Sequence, residues 1–268
     1  RFINPIFIIL ASAMLSGGVS YKYETLMNGT AVITSVTIPD GITDIYIPET
    51  IDGYTVAGIE SYAFAGQTSA EKAVIPDTVN YIGDAAFMGC TSLKEVTVGA
   101  GVKALPDDCF FACPALESIT LPDTLESIGN ETFFGCSILD LYIPESVSAI
   151  GANAFGMNTD PHSNETINIY GFLVKGVSGS YAETYSAENN IDFIDMNNYK
   201  AGDVNDDGFI DSSDASSILA EYSRASTGIA LMFTKKQSIV GDVNGDGFTD
   251  SSDASRVLEI YAMHSTEL

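Results

Sequence analysis

The chain contains no tryptophan, two histidines, four cysteines and few basic residues. Each scarcity narrows the range of functions. Eleven Lys and Arg stand against 36 Asp and Glu, for a formal net charge of −25, and no basic cluster interrupts the acids. Without cations to neutralise phosphates, nucleic acid and anionic membrane surfaces are poor partners. The histidines, His162 and His264, lie in a polar loop and near the end of the chain. Neither sits in an HExxH pattern, and there is no G-x-S-x-G elbow or phosphate loop. Acids of residues 30–195 mostly follow prolines in turns, where Asp and Glu are ordinary solvated residues. No catalytic residue is assigned. The lack of Trp weakens a sugar-stacking platform, although thirteen Tyr leave some room for one. Four Cys in a chain of this size are not a disulfide framework.

Long apolar runs are also missing. The first fifteen residues, RFINPIFIILASAML, are too short for a comfortable membrane span. They look like the apolar region of a secretory signal, with Ala11-Ser12-Ala13 or Gly18-Val19-Ser20 as cleavage candidates. Residues 1–20 are therefore set apart as a signal-peptide remnant. The alternative is a first buried strand or helix of the folded domain.

What is present is a pair of twelve-residue loops, 39 positions apart. Asp203–Asp214 reads DVNDDGFIDSSD and Asp242–Asp253 reads DVNGDGFTDSSD. Both carry Asp, Asn and Asp at loop positions 1, 3 and 5, Gly at 6, and Asp at 9 and 12. A hard cation such as Ca²⁺ takes about six to eight oxygens, and this spacing wraps short oxygen-bearing arms around one point. The expected donors of the first loop are Asp203, Asn205, Asp207, the Phe209 carbonyl, Asp211 and Asp214. Those of the second are Asp242, Asn244, Asp246, the Phe248 carbonyl, Asp250 and Asp253. Two Ca²⁺ ions are expected. Position 12 is Asp in both copies rather than the usual Glu, and Asn197–Ala201 is too short and polar for an entering helix. Each unit therefore reads as a loop followed by one helix. Ala215, Ile218, Leu219 and Tyr222 share one helical face, as do Ala254, Val257, Leu258 and Tyr261.

This duplicated loop-helix resembles a dockerin, the module that plugs proteins into the cohesins of a cellulosome scaffold. Gly202–Ser223 and Gly241–Ala262 agree at fifteen of twenty-two positions. The resemblance implies cohesin contacts at loop positions 10 and 11, here Ser212, Ser213, Ser251 and Ser252. It implies further contacts on the helices at Leu219, Ala220 and Arg224, and at Leu258, Glu259 and Met263. Because the serine pairs are identical, either copy is expected to face the cohesin, in two opposite orientations. The helix positions differ, and Ala225–Val240 is long for the family.

A second repeat fills the first two-thirds. Phe64, Phe87, Phe110, Phe133 and Phe155 recur at steps of 23, 23, 23 and 22. Ile59, Ile82, Leu105, Ile128 and Ile150 keep the same step, and Cys90, Cys113 and Cys136 share one position. Each unit has a short alternating strand, a Pro-Asp or Pro-Glu turn, a second short apolar stretch and a tight bend. One unit cannot bury its apolar side. Stacked units can, with equivalent residues in ladders roughly 4.8 Å apart. The Phe, Ile and Cys columns are read as core, and reduced Cys in a secreted protein suits an anaerobic setting.

Ile75–Leu93, IPDTVNYIGDAAFMGCTSL, resembles the phrase of the BspA-type leucine-rich repeats of secreted and surface bacterial proteins. The stretch Ser180–Asn189 fits a helix covering the last open edge. The expected fold class is β-rich α+β: a leucine-rich-repeat solenoid of short strands in about 23-residue repeats, then a small all-α calcium-binding dockerin. Expected boundaries are 21–195 for the solenoid, 196–201 for a linker and 202–268 for the dockerin. The leading function is a non-catalytic, extracellular cellulosome component whose dockerin binds a scaffoldin cohesin. Its solenoid would present a face to a protein, a cell surface or a polysaccharide. The alternatives are a cellulosomal glycoside hydrolase and a calcium-dependent surface adhesin.

Overall fold

The computed structural model describes residues 10–14, 18–160, 163 and 165–265. These fall into two compact units, Arg1–Ile191 and Asp192–Leu268, a division that precedes the expected linker at 196–201.

Part of the signal-like run is a strand. β1 (Leu10–Met14) pairs antiparallel with β2 (Ser20–Thr25), and Ala13 is buried. Residues 1–9 of the run lie outside the described residues. β2 alternates buried Tyr21, Tyr23 and Thr25 with exposed or half-buried neighbours, the period of a half-covered sheet. It pairs antiparallel with β3 (Thr30–Thr37). After β4 (Asp44–Tyr46), β5 (Thr50–Ile51) and β6 (Tyr54–Ile59) form a hairpin around Asp52-Gly53. Both turn residues have positive φ, +50° and +86°, as a two-residue turn between twisted strands requires.

The sequence period then becomes sheet register. β7 (Lys72–Ile75), β9 (Glu95–Val98) and β11 (Ser118–Thr120) pair in parallel, with Lys72 opposite Glu95 and Glu95 opposite Ser118. β4 pairs with the outer edge of β7. A second ladder runs from β6 to β8 (Tyr81–Ile82). Its line continues in β10 (Ala104–Leu105), β12 (Ser127–Ile128) and β14 (Ala149–Ile150), which pair in parallel. β13 (Asp140–Tyr142) pairs with β17 (Leu173–Gly176), 33 positions on. The longer step accommodates an antiparallel hairpin of β15 (Met157–Thr159) and β16 (Thr166–Asn168).

Inside the coil the phenylalanines stack. Ring centroids are 4.8 Å apart for Phe64–Phe87, 5.2 Å for Phe87–Phe110 and 5.6 Å for Phe110–Phe133. All four are essentially inaccessible. The amide beside each ring donates to the next turn, as from Phe87 N to Cys109 O at 2.9 Å. Helix α1 (Tyr181–Glu188) covers the far end, within the stretch expected to cap it. Tyr185 lies against Phe155 at 4.6 Å, and its hydroxyl accepts from Ala154 N at 3.1 Å.

The cysteines are free and buried. Cys90, Cys113 and Cys136 Sγ each donate at 3.2 Å to the carbonyls of Phe64, Phe87 and Phe110 respectively. Burial pushes the Cys109 thiol well up and Cys136 up to about 12. The thiol contact between Cys90 and Cys113 raises Cys113 and lowers Cys90.

The second unit holds β18 (Asp192–Asp195), α2 (Ser212–Thr227), α3 (Lys235–Gly241) and α4 (Ser251–Ser265). No helix precedes either loop's first Asp by the length of an EF-hand's entering helix; the first loop follows a turn and the second follows seven-residue α3. α2 and α4 pack together through Ala215, Ile218, Ala254 and Val257. The apolar stripe is narrower than its sequence pattern. Leu219, Tyr222, Leu258 and Tyr261 are 41–45% exposed. Asp214 and Glu221 take buried places on α2 instead, because loop and linker amides satisfy their carboxylates. Gly228 ends α2 at φ +72°, the left-handed cap that a glycine takes without strain.

Candidate metal centre and docking face

The two loops have one geometry. In the first, Asp203 accepts from Asp207 N at 3.1 Å and Gly208 N at 2.9 Å. Asn205 Oδ1 accepts from Asp207 N at 3.0 Å, and Asp207 from Phe209 N at 2.9 Å. In the second, Asp242 accepts from Asp246 N at 3.1 Å and Gly247 N at 2.8 Å. Asn244 Oδ1 accepts from Asp246 N at 2.9 Å, and Asp246 from Phe248 N at 3.0 Å. Gly208 and Gly247 both sit at φ +87°, the conformation a sharp loop reversal demands and a side chain resists.

Position 12 closes each loop from beneath. Asp214 is fully buried and accepts from Val204, Asn205 and Asp211 amides at 3.0, 3.3 and 3.0 Å. Asp253, equally buried, accepts from Val243, Asn244 and Asp250 amides at 2.9, 3.1 and 2.9 Å. Asp214 also forms a reciprocal capping box with Asp211 at the start of α2. Burial pushes the Asp214 carboxyl up. The Ser213 amide holds Asp211 down, and the Ser252 hydroxyl does the same for Asp250.

The donor chemistry fits a hard divalent cation. Every donor is an oxygen, four of them carboxylates in each loop, and no sulfur or imidazole intrudes. The carboxylates are turned onto loop amides, and among the described residues no three His, Cys, Asp or Glu side chains are gathered to hold a metal. A cation would draw Asp203, Asn205, Asp207, Asp211, Asp214 and the Phe209 carbonyl inward, and their counterparts in the second loop. The Phe209 and Phe248 rings themselves face solvent, 70% and 72% exposed.

The expected docking residues are accessible. Ser212, Ser213, Leu219 and Ala220 of α2 are exposed, as are Ser251, Ser252, Leu258, Glu259 and Met263 of α4. Arg224 is half-buried. Within each pair the serines differ. Ser213 Oγ accepts from Asn205 Nδ2 at 2.9 Å, and Ser252 Oγ from Asn244 Nδ2 at 2.8 Å. Position 11 is therefore tied to the metal loop. Glu259 is paired with Arg256 at 2.8 Å. Sequence reasoning missed Glu221 and α3. The sign was there: Glu221 stands where the second copy has Ile260. His162 lies outside the described residues.

Residues 42–162 match the model of the BspA type leucine rich repeat region, in six copies, and residues 201–259 match the dockerin type I domain. The chain carries a BspA-type leucine-rich repeat region followed by a type I dockerin domain. Among solved structures it is similar to a leucine-rich repeat protein of T. pallidum, with 28% identity and a TM-score of 0.50. That match covers 58% of this chain and 68% of the other. A leucine-rich repeat protein from Bacteroides ovatus matches with 29% identity and a TM-score of 0.47, over 64% of this chain and 47% of its own. No curated protein matches. Neither matched domain is a catalytic one. Among the described residues no helix is long and apolar enough to cross a membrane.

Proposed function

We propose that this protein is a secreted, non-catalytic cellulosome component. Its dockerin binds a scaffoldin cohesin when two Ca²⁺ ions fill the loops, and its solenoid offers a face to a second partner. The observation that carries the reading is the near identity of the two loops, in sequence and in hydrogen bonding, beneath exposed Ser-Ser pairs. Asp203, Asp207, Asp211 and Asp214 repel one another until a cation joins them, so calcium acts as a folding ligand for α2. It does the same for α4 through the second loop. Ser212 and Ser251 are the free hydroxyls of the docking face, and Ser213 and Ser252 report on the loop beneath. The solenoid partner is a protein, a cell surface or a polysaccharide that spans several turns.

The test is binding of the full chain to a panel of cohesins, wild type beside serine variants. Ser212→Ala/Ser213→Ala and Ser251→Ala/Ser252→Ala should each leave most binding intact, and the fourfold variant should lose it. Full binding by the fourfold variant would show that these serines are not the contact.

A further inference from the structure

The segment between the loops is built in a way that duplicating a loop and helix does not require. Glu221 is only 6% exposed. A buried carboxylate is costly unless it is hydrogen-bonded. Its two oxygens accept from Met232 N at 2.9 and 3.0 Å and from Phe233 N at 2.9 Å. The clamped segment keeps Ile229, Leu231 and Met232 more than half exposed, so it is held by its backbone rather than by apolar burial. Thr234 follows at once as the N-cap of α3, in a reciprocal box with Gln237. Seven residues are too few for an isolated helix, so α3 depends on what anchors it.

α3 in turn reaches both loops. On the first-loop side, Gln237 Nε2 donates to Val204 O at 3.1 Å and Lys236 Nζ pairs with Asp206 at 3.0 Å. Val240 O accepts from Gly202 N, the residue before Asp203, at 2.8 Å. On the second-loop side, Ser238 O accepts from Thr249 Oγ1 at 2.8 Å and from Asp242 N at 3.1 Å. Asp242 is also the residue that ends α3 and the first donor of the second loop. The two metal sites therefore share one short strut, and Glu221 locks its entrance.

We propose that Glu221 is a positioning residue for both calcium sites, acting through α3 so that the two loops fill together. This rests on the calcium reading above. Order in one loop fixes α3, and a fixed α3 presents the other loop at a smaller ordering cost. Such coupling is reciprocal.

The test titrates calcium alone into the full chain and follows the Gly208 and Gly247 amides separately by NMR. In wild type both amides should share one midpoint. Asp203→Ala, which disables the first loop, should weaken calcium at Gly247 by about tenfold. In a Glu221→Ile background the same change should leave Gly247 where it was. Ile is the residue that α4 carries at the equivalent position, Ile260, and calcium-free helical content should match that of wild type. Glu221→Gln, of nearly unchanged size but with one acceptor oxygen in place of two, should show the same loss of coupling. An equal shift of Gly247 in all backgrounds, or none in wild type, would overturn the proposal while leaving calcium binding intact. No response at either glycine would overturn the calcium reading with it.

Discussion

Gly129 occupies a place where any side chain would collide. A Cβ there would lie 2.5 Å from Asp107 N, and Gly83 and Gly151 meet the preceding turn's backbone at 2.4 Å. Gly129→Ala should therefore destabilise the solenoid by about 1–3 kcal/mol, as overpacking does. An unshifted denaturation midpoint would contradict this. Phe110, stacked on both sides, should cost about 3–5 kcal/mol when cut to Ala. The thiols make a chemical prediction. Iodoacetamide should leave all four cysteines unmodified in the folded chain and label all of them on unfolding. Rapid labelling of the native protein, read by mass spectrometry, would place them outside the core. The Phe and Cys columns were legible in the sequence because one side chain recurs at a fixed step. The strained positions were not. Tyr62, Ala85, Asp108, Glu131 and Asn153 all have φ between +51° and +62°, yet no one side-chain chemistry is common to all five. Their conformation is imposed by the stack, one residue per turn. Glu221 left one sign, the apolar Ile260 at the matching place of the second copy, but a lone Glu on a helix reads as solvated until the amides that bind it are placed.

At the scale of elements, the step of 23 residues is the height of one turn and sets register in both ladders. Deleting residues 95–117 removes one whole turn and would bring Ser118 opposite Lys72. Nearest-neighbour stacking then predicts a folded, cooperative but less stable solenoid. Loss of the strand signal in circular dichroism would contradict it. The helices following the loops were legible from the apolar spacing. The exposure of Tyr222 and Tyr261 was not, because α2 and α4 meet along a narrow stripe of Ala, Ile and Val. α3 escaped notice because a seven-residue helix carries too little periodicity to be seen. β1 was obscured for another reason: an apolar run satisfies both a leader's pattern and an edge strand's.

For the whole molecule, acidity and calcium are linked. Residues 200–268 carry twelve acids against five bases, and four carboxylates crowd each loop. Chelation by EGTA should remove helical signal and lower the melting temperature of this unit. The Phe-stacked solenoid has no loop of this kind and should melt unchanged. A thermal scan with one transition, identical with and without EGTA, would contradict this division. The direct measurement is capture of the full chain on immobilised cohesins, in millimolar calcium and then in EGTA. Capture in calcium, release in EGTA and recapture when calcium returns is the expected result. If calorimetry shows two calcium ions bound and no cohesin retains the chain, the module is not a scaffold plug, and calcium-dependent self-association becomes the reading to pursue.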